Sequence, residues 1–188
     1  MGGEPMTSRI DESRPFVPLR IAVMTVSDTR TAADDRSGDL LVARLTAAGH
    51  DLADRRIVPD EQELLSRQVQ DWADSGRVDA VLTTGGTGLT GRDVTVEAIS
   101  PLFSKTLEGF AVVFHMVSYD SVGLSTLQSR ACAGIVPATD GSRAIFVFCL
   151  PGSTGACKDG WDKVIAPQLD SRHRPCNLHE IMPRLTER

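Results

Sequence analysis

Apolar residues in this chain cluster in short, nearly continuous runs, separated by stretches where they recur every three or four positions. The first run, Leu19 to Val26 (LRIAVMTV), is rich in β-branched residues and fits a strand covered on both faces. After the polar loop SDTRTAADDRSGD, Leu40, Leu41, Leu45 and Ala48 follow at helical spacing, and Gly49 closes that helix. DLADRRIV predicts a second strand ending at Pro59. Leu64, Leu65, Val69 and Trp72 mark one face of a helix over 60–75, ended by Gly76. VDAVLTT (Val78 to Thr84) predicts a third buried strand and runs directly into the turn GGTG.

Strands alternating with helices of this length imply a parallel sheet with helices on its faces, an α/β protein. Further on, VTVEAISPLF predicts a short helix stopped around Pro101, and Phe110 to Ser129 read as mostly helical. RAIFVFCL (Arg143 to Leu150) is the clearest late strand, and it too enters a glycine-containing loop, PGSTGA. Trp161, Val164, Ile165 and Leu169 form a last helical face. The stretch after Asp170 reads as irregular, and residues 1–18 as a flexible tail broken by Pro5 and Pro15, which leaves 19–188 as a single domain.

Composition narrows the function. The 188 residues carry 24% charged side chains and a net charge of −5, with only six Phe, two Trp and one Tyr. An acidic surface poor in aromatics argues against a nucleic-acid partner, since neither phosphate neutralisation nor base stacking is provided for. No apolar run reads as long enough to cross a bilayer, and no secretory leader is expected, so the expectation is a cytoplasmic protein without a membrane partner. Cys132, Cys149, Cys157 and Cys176 have no CxxC spacing and read as reduced thiols, most simply small buried hydrophobes.

The chemistry is expected where the parallel strands end, because ligands of open α/β sheets bind beyond the carboxyl ends of the strands. Those ends carry Ser27-Asp28, Pro59-Asp60, Gly85-Gly86-Thr87-Gly88 and Pro151-Gly152-Ser153. Two of these loops are glycine turns that expose backbone N–H groups, which suits phosphate oxygens, although tight turns need glycine without any ligand. A P-loop is absent. The GxGxxG match at Gly86, Gly88 and Gly91 follows the third strand rather than the first, which disfavours a dinucleotide oxidoreductase. Asp60 and Asp93 each precede a helix and could simply cap it, Asp60 with Glu63 as a capping box. Near a phosphate site the same two carboxylates could instead hold Mg²⁺. His173, Cys176 and His179 resemble part of a zinc set but lack a fourth ligand, and His50 and His115 have no partner visible in sequence.

Taken together, and in this order, RIAVMTVSDTR, the Val58-Pro59-Asp60-Glu61 turn, VLTTGGTGLTGRDVT, STLQSRACAG, FCLPGSTGACKDGWDKVIAPQL and RPCNLHE resemble the MoaB/MogA family of molybdopterin-binding proteins. The resemblance implies a three-layer α/β/α sandwich with a mostly parallel central sheet, assembled as a homo-oligomer, a trimer or a hexamer. It implies a part in making the molybdenum cofactor. Active members join the AMP part of Mg-ATP to the terminal phosphate of molybdopterin and release pyrophosphate. By resemblance Asp60 and Asp93 take the two essential acidic positions and place Mg²⁺. Gly85, Gly86, Thr87 and Gly88, with Gly152 and Ser153, line the phosphates, and Ser27 and Asp28 form the turn after the first strand. Arg92 or Arg130 would offset the repulsion between the two anions. The chain departs from the family's GFGEVFR segment, where Val112 stands for a Glu and His115 for an Arg. That departure motivates a second reading, a protein that binds molybdopterin, or contacts another pathway member, without catalysis.

Overall fold

The computed structural model describes residues 10–187. Six strands form one sheet: β1 (Arg20–Val26), β2 (Asp51–Val58), β3 (Ala80–Thr84), β4 (Lys105–Thr106), β5 (Cys132–Pro137) and β6 (Ala144–Leu150), in the order β2-β1-β3-β6-β5-β4. β2, β1, β3 and β6 run parallel, while β5 is antiparallel to both β6 and β4. The alternation of β1 explains the layers. Ile21 and Val23 face one side, and Ala22, Met24 and Val26 the other. On the first side the sheet packs against α1 (Arg36–Ala47), α4 (Glu108–Val122) and the helical run that begins with α5 (Thr154–Gly160). That core holds Leu41, Leu45, Phe114, Phe146, Phe148, Trp161 and Ile165. On the second side α2 (Gln62–Asp74) and α3 (Thr95–Ile99) cover Val81, Ile145 and Val147 with Leu65, Val69, Trp72 and Ile99. The molecule is thus the α/β/α sandwich expected.

Several expectations need correction. β4 and β5 were not legible as strands: β4 has two residues, and β5 (CAGIVP) is half small residues and ends on Pro137. The last helical face is not one regular helix. α5 passes into a π-turn at Trp161–Ile165, and α6 (Ala166–Leu169) follows. The C-terminal stretch carries a short helix, α7 (Leu178–Ile181), capped by Asn177. Residues 108–128 form a 21-residue helical stretch apolar enough, by length and composition, to cross a membrane, contrary to expectation. In this fold the stretch is a layer of the domain instead. Phe110 and Phe114 are buried against the sheet, and the α-helix ends at Gly123 (φ +60), after which a 3-10 turn runs to Gln128.

Of the tail, residues 1–9 lie outside the described residues. From Ile10 the chain runs beside the C-terminal segment. Ile10 bridges His173, Val17 donates its N–H to Ser171 Oγ at 2.9 Å, and the Arg172 guanidinium sits 5.1 Å above the Phe16 ring.

Candidate functional site

Because β1, β2, β3 and β6 are parallel and adjacent, their carboxyl ends open onto one rim, and the four predicted loops meet there. The loop after β3 is built at backbone thickness. Gly85 has φ +101, and a Cβ there would stand 2.3 Å from the Val26 carbonyl oxygen. Its N–H donates to the Leu150 carbonyl (3.1 Å), and Gly152 of the neighbouring loop approaches its Cα closely. Gly86 has φ +64. Thr95 fixes this turn, donating its N–H to the Gly86 carbonyl (2.9 Å) and its hydroxyl to the Gly85 carbonyl (2.8 Å). Thr87 is buried, and Thr84 donates to the Pro151 carbonyl, tying the end of β3 to the loop after β6.

The two carboxylates flank this loop. Asp60 Oδ1 lies where a Cβ on Gly86 would come within 2.9 Å, and Asp93 Oδ2 where one on Gly88 would come within 2.7 Å. Neither takes the helix-cap role that was one of its two readings. The N-cap of α2 is Glu61, without a side-chain cap bond, so no Asp60–Glu63 capping box forms. The N-cap of α3 is Val94. Asp93 instead accepts from the Thr90 N–H (3.0 Å) and the Thr90 hydroxyl (2.6 Å), closing the loop on itself. The two acids differ electrostatically. The Thr90 hydroxyl holds Asp93 below the usual carboxylate range. Burial pushes Asp60 above it, and the charges of Asp28 and Asp93 push it further, with Arg92 opposing. Asp60 and Asp93 offer oxygen donors of the kind Mg²⁺ takes, although among the described residues no group of three or more His, Cys, Asp or Glu is placed to hold an ion.

Asp28 organises the outer edge. It accepts from the Asp60 N–H (3.1 Å) and from Arg92 Nε and Nη2 (3.1 and 2.5 Å), and the Arg92 contact keeps it ionised below its usual range. Arg92 is well exposed, so its remaining face is open to an anion. Ser27 Oγ accepts from the N–H groups of Thr29 and Arg30 and holds its own turn. Ser153 is the N-cap of α5, its Oγ accepting from the Ala156 N–H at 3.1 Å.

Two further groups hold the site: Arg130, expected to offset the repulsion between two anions, and Asp35, for which no role is expected. Arg130 reaches back from just before β5. Its Nε donates to the carbonyls of Thr87 and Gly88, its Nη2 to the Asp93 carbonyl, and its outer nitrogens pair with Glu97. Its Nε and Nη2 hydrogens are taken up by the loop carbonyls and Glu97, so in this structure it positions the loop. Buried Asp35, the N-cap of α1, accepts from Thr25 Oγ1 and Arg55, while Arg30 spans from Ser37 to the Gly152 carbonyl. The Arg130–Glu97 pairing, 33 residues apart, leaves no local pattern to read. The Asp35 cap does leave one, an acid three residues before the Gly38 N–H it accepts. His173, Cys176 and His179 do not form a metal site: among the described residues no group of three or more His, Cys, Asp or Glu is placed to hold an ion.

A family model described as "probable molybdopterin binding domain" matches residues 22–171, nearly all of the sheet and every loop of the rim. The chain belongs to the MoaB/MogA family. Molybdenum cofactor biosynthesis protein B of Escherichia coli K12 is 47% identical over 167 residues, covering 89% of this chain and 95% of that one. A crystal structure of a molybdenum cofactor biosynthesis protein B superimposes with a TM-score of 0.80 at 38% identity, over 93% of this chain and all of the other. The tungsten cofactor synthesizing protein MoaB from Pyrococcus furiosus gives 0.74 at 35% identity, over 90% and 98%. In this MoaB/MogA member Val112 and His115 both lie on α4. Val112 is exposed on the outer face, and His115 is half-buried against the segment that leads to Arg130.

Proposed function

We propose that this chain binds molybdopterin at the rim and adenylylates it in molybdenum cofactor biosynthesis. A terminal phosphate oxygen of molybdopterin attacks the α-phosphorus of ATP. A new P–O–P linkage forms, the α–β bridge breaks, and pyrophosphate leaves with the electron pair. Both reactants are anions, so the protein's work is positioning and charge compensation rather than covalent catalysis. Asp60 and Asp93 would hold Mg²⁺, which offsets the phosphate charge when bound. The turn at Gly86 and Gly88 lets the phosphates approach the backbone, and Arg92 orients the anion beside Asp28. Ser27, Gly152 and Ser153 shape the neighbouring turns.

The observation that supports this reading best is that Asp60 and Asp93, 33 positions apart, flank one glycine loop at Gly86 and Gly88. The test is incubation of purified protein with molybdopterin and Mg-ATP, looking for adenylylated pterin and pyrophosphate. The expected result is turnover in wild type that Asp93→Asn lowers by about 10²-fold or more. Wild type no faster than Asp93→Asn would overturn it. The substitutions at Val112 and His115 favour one alternative, a molybdopterin-binding protein without catalysis. Tight pterin binding with no ATP-dependent product would support that.

Assembly into a homo-oligomer, a trimer or a hexamer, in the cytoplasm belongs to the same reading. Its support is an apolar outer surface on α4 and the following turn. Val112, Met116, Leu124 and Leu127 are each more than 60% exposed, and large exposed apolar patches mark contact surfaces.

A further inference from the structure

His115 stands between two carbonyl oxygens. Its Nδ1 is 2.6 Å from the Ala111 oxygen, one turn back on α4, and its Nε2 is 3.1 Å from the Ser129 oxygen. Both oxygens only accept. A neutral imidazole carries one N–H and can serve one of them, leaving the other nitrogen's lone pair facing a carbonyl. Only the doubly protonated ring satisfies both contacts. Ser129 immediately precedes Arg130, whose backbone N–H donates to the Thr87 carbonyl at 2.9 Å and whose guanidinium holds Gly88 and Asp93. A line of direct contacts therefore runs from α4 through Ser129 and Arg130 to the glycine loop.

We infer that His115 is a positioning residue whose protonated ring anchors Ser129, and through it the Arg130 clamp on Gly88 and Asp93, so that the order of the glycine loop follows the charge on one histidine. The surroundings leave the ring to these two oxygens. On α4 the titratable neighbours are Glu108, Tyr119 and Asp120. Among the elements packed against α4, the turn Gly123–Gln128 carries no charge, and β5 offers only Cys132 as a titratable group. α5 brings Lys158 and Asp159, the latter bonded to Ser121 and Lys163, and the π-turn adds Asp162, paired with Arg44. Phe114 stacks edge-on against the ring at 5.5 Å. The nearby Arg130 guanidinium is already neutralised by Glu97.

The consequence for turnover rests on the adenylylation reading, but loop order can be measured without substrate. Amide hydrogen exchange of the 84–94 segment would be compared among wild type, His115→Arg (a fixed cation) and His115→Gln (a fixed neutral donor). Pairing the proteins at each pH, from about 5.5 to about 8.5, cancels the intrinsic exchange rate. At the acid end wild type should match His115→Arg, with His115→Gln several-fold less protected. At the alkaline end wild type should converge on His115→Gln. Wild type following one variant across the whole range, or three indistinguishable proteins, would overturn the inference. Should His115→Arg not fold, the comparison with His115→Gln decides alone: a difference that closes as pH rises supports it, and a constant difference or none refutes it.

Discussion

Asp60 rests against the α-carbon of Gly86, so the candidate acid and the phosphate-side turn share one space. A side chain at 86 would meet Asp60 Oδ1 at 2.9 Å and Thr95 Oγ1 at 2.3 Å, in a backbone conformation with φ +64. Gly86→Ala is expected to cost about 1–3 kcal/mol from the left-handed backbone, with the Thr95 clash added. It should also remove pterin binding by displacing Asp60. Thermal unfolding and a binding titration check this; unchanged melting together with unchanged affinity would contradict the geometry.

Asp60 should be a residue whose charge opposes folding. Burial, then the Asp28 charge, raise its folded-state pKa above the ordinary 3.8. The folded protein therefore holds this proton more tightly than the unfolded chain, and the stability tied to it declines as pH rises from that value through the raised pKa. Asp60→Asn is expected to be neutral or stabilising by a fraction of a kcal/mol, since solvent screens this rim position. Its adenylylation should be lost. Denaturation at neutral pH, run beside the activity assay, tests both halves.

The opposite sign holds for Asp35. Burial alone would raise it, but Arg55, Thr25 and the Gly38 N–H more than offset that and hold it below 3.8. Its contribution is fully present above that value and lost as acid carries the protein through the lowered pKa. Asp35→Ala should cost about 2 kcal/mol or more at neutral pH, because Arg55 loses its inner partner and the α1 cap disappears. The gap between mutant and wild type should narrow in strong acid.

Replacing Val112 and Met116 by Glu should leave the fold intact, since both side chains are exposed. If α4 carries the subunit contact, the double mutant becomes monomeric in light scattering while wild type remains a trimer or hexamer. A wild-type monomer would remove the oligomer from the reading.

How much of this was legible in the chain follows from where each signal is stored. β1, β3 and β6 are continuous apolar runs because both faces are covered, while the parallel edge strand β2 (DLADRRIV) is largely polar and exposed; the ends of all four identify the rim without any contact information. β5 escaped because half its residues are small and its antiparallel pairing with β6 is a tertiary choice. Asp60 and Asp93 stand out in the sequence as acids at loop ends, and of their two readings the capping one is not realised. Position before a helix does not fix where a short side chain turns, and Thr90 competes for Asp93 locally. Arg130 was noticed as a cation. Its hold on three carbonyls depends on a partner set scattered from Thr87 to Glu97 that no spacing rule connects.

Between the turns that follow β3 and β6 there is only main chain: a Cβ on Gly152 would already lie 3.3 Å from the Cα of Gly85. Two peptide segments in such contact cannot shift independently, and neither can accept a bulkier residue without disturbing its neighbour. Any adjustment of ligand preference over evolutionary time must therefore be carried by the side chains around this bare seam, Asp28, Asp60, Arg92 and Asp93, while the seam itself stays fixed.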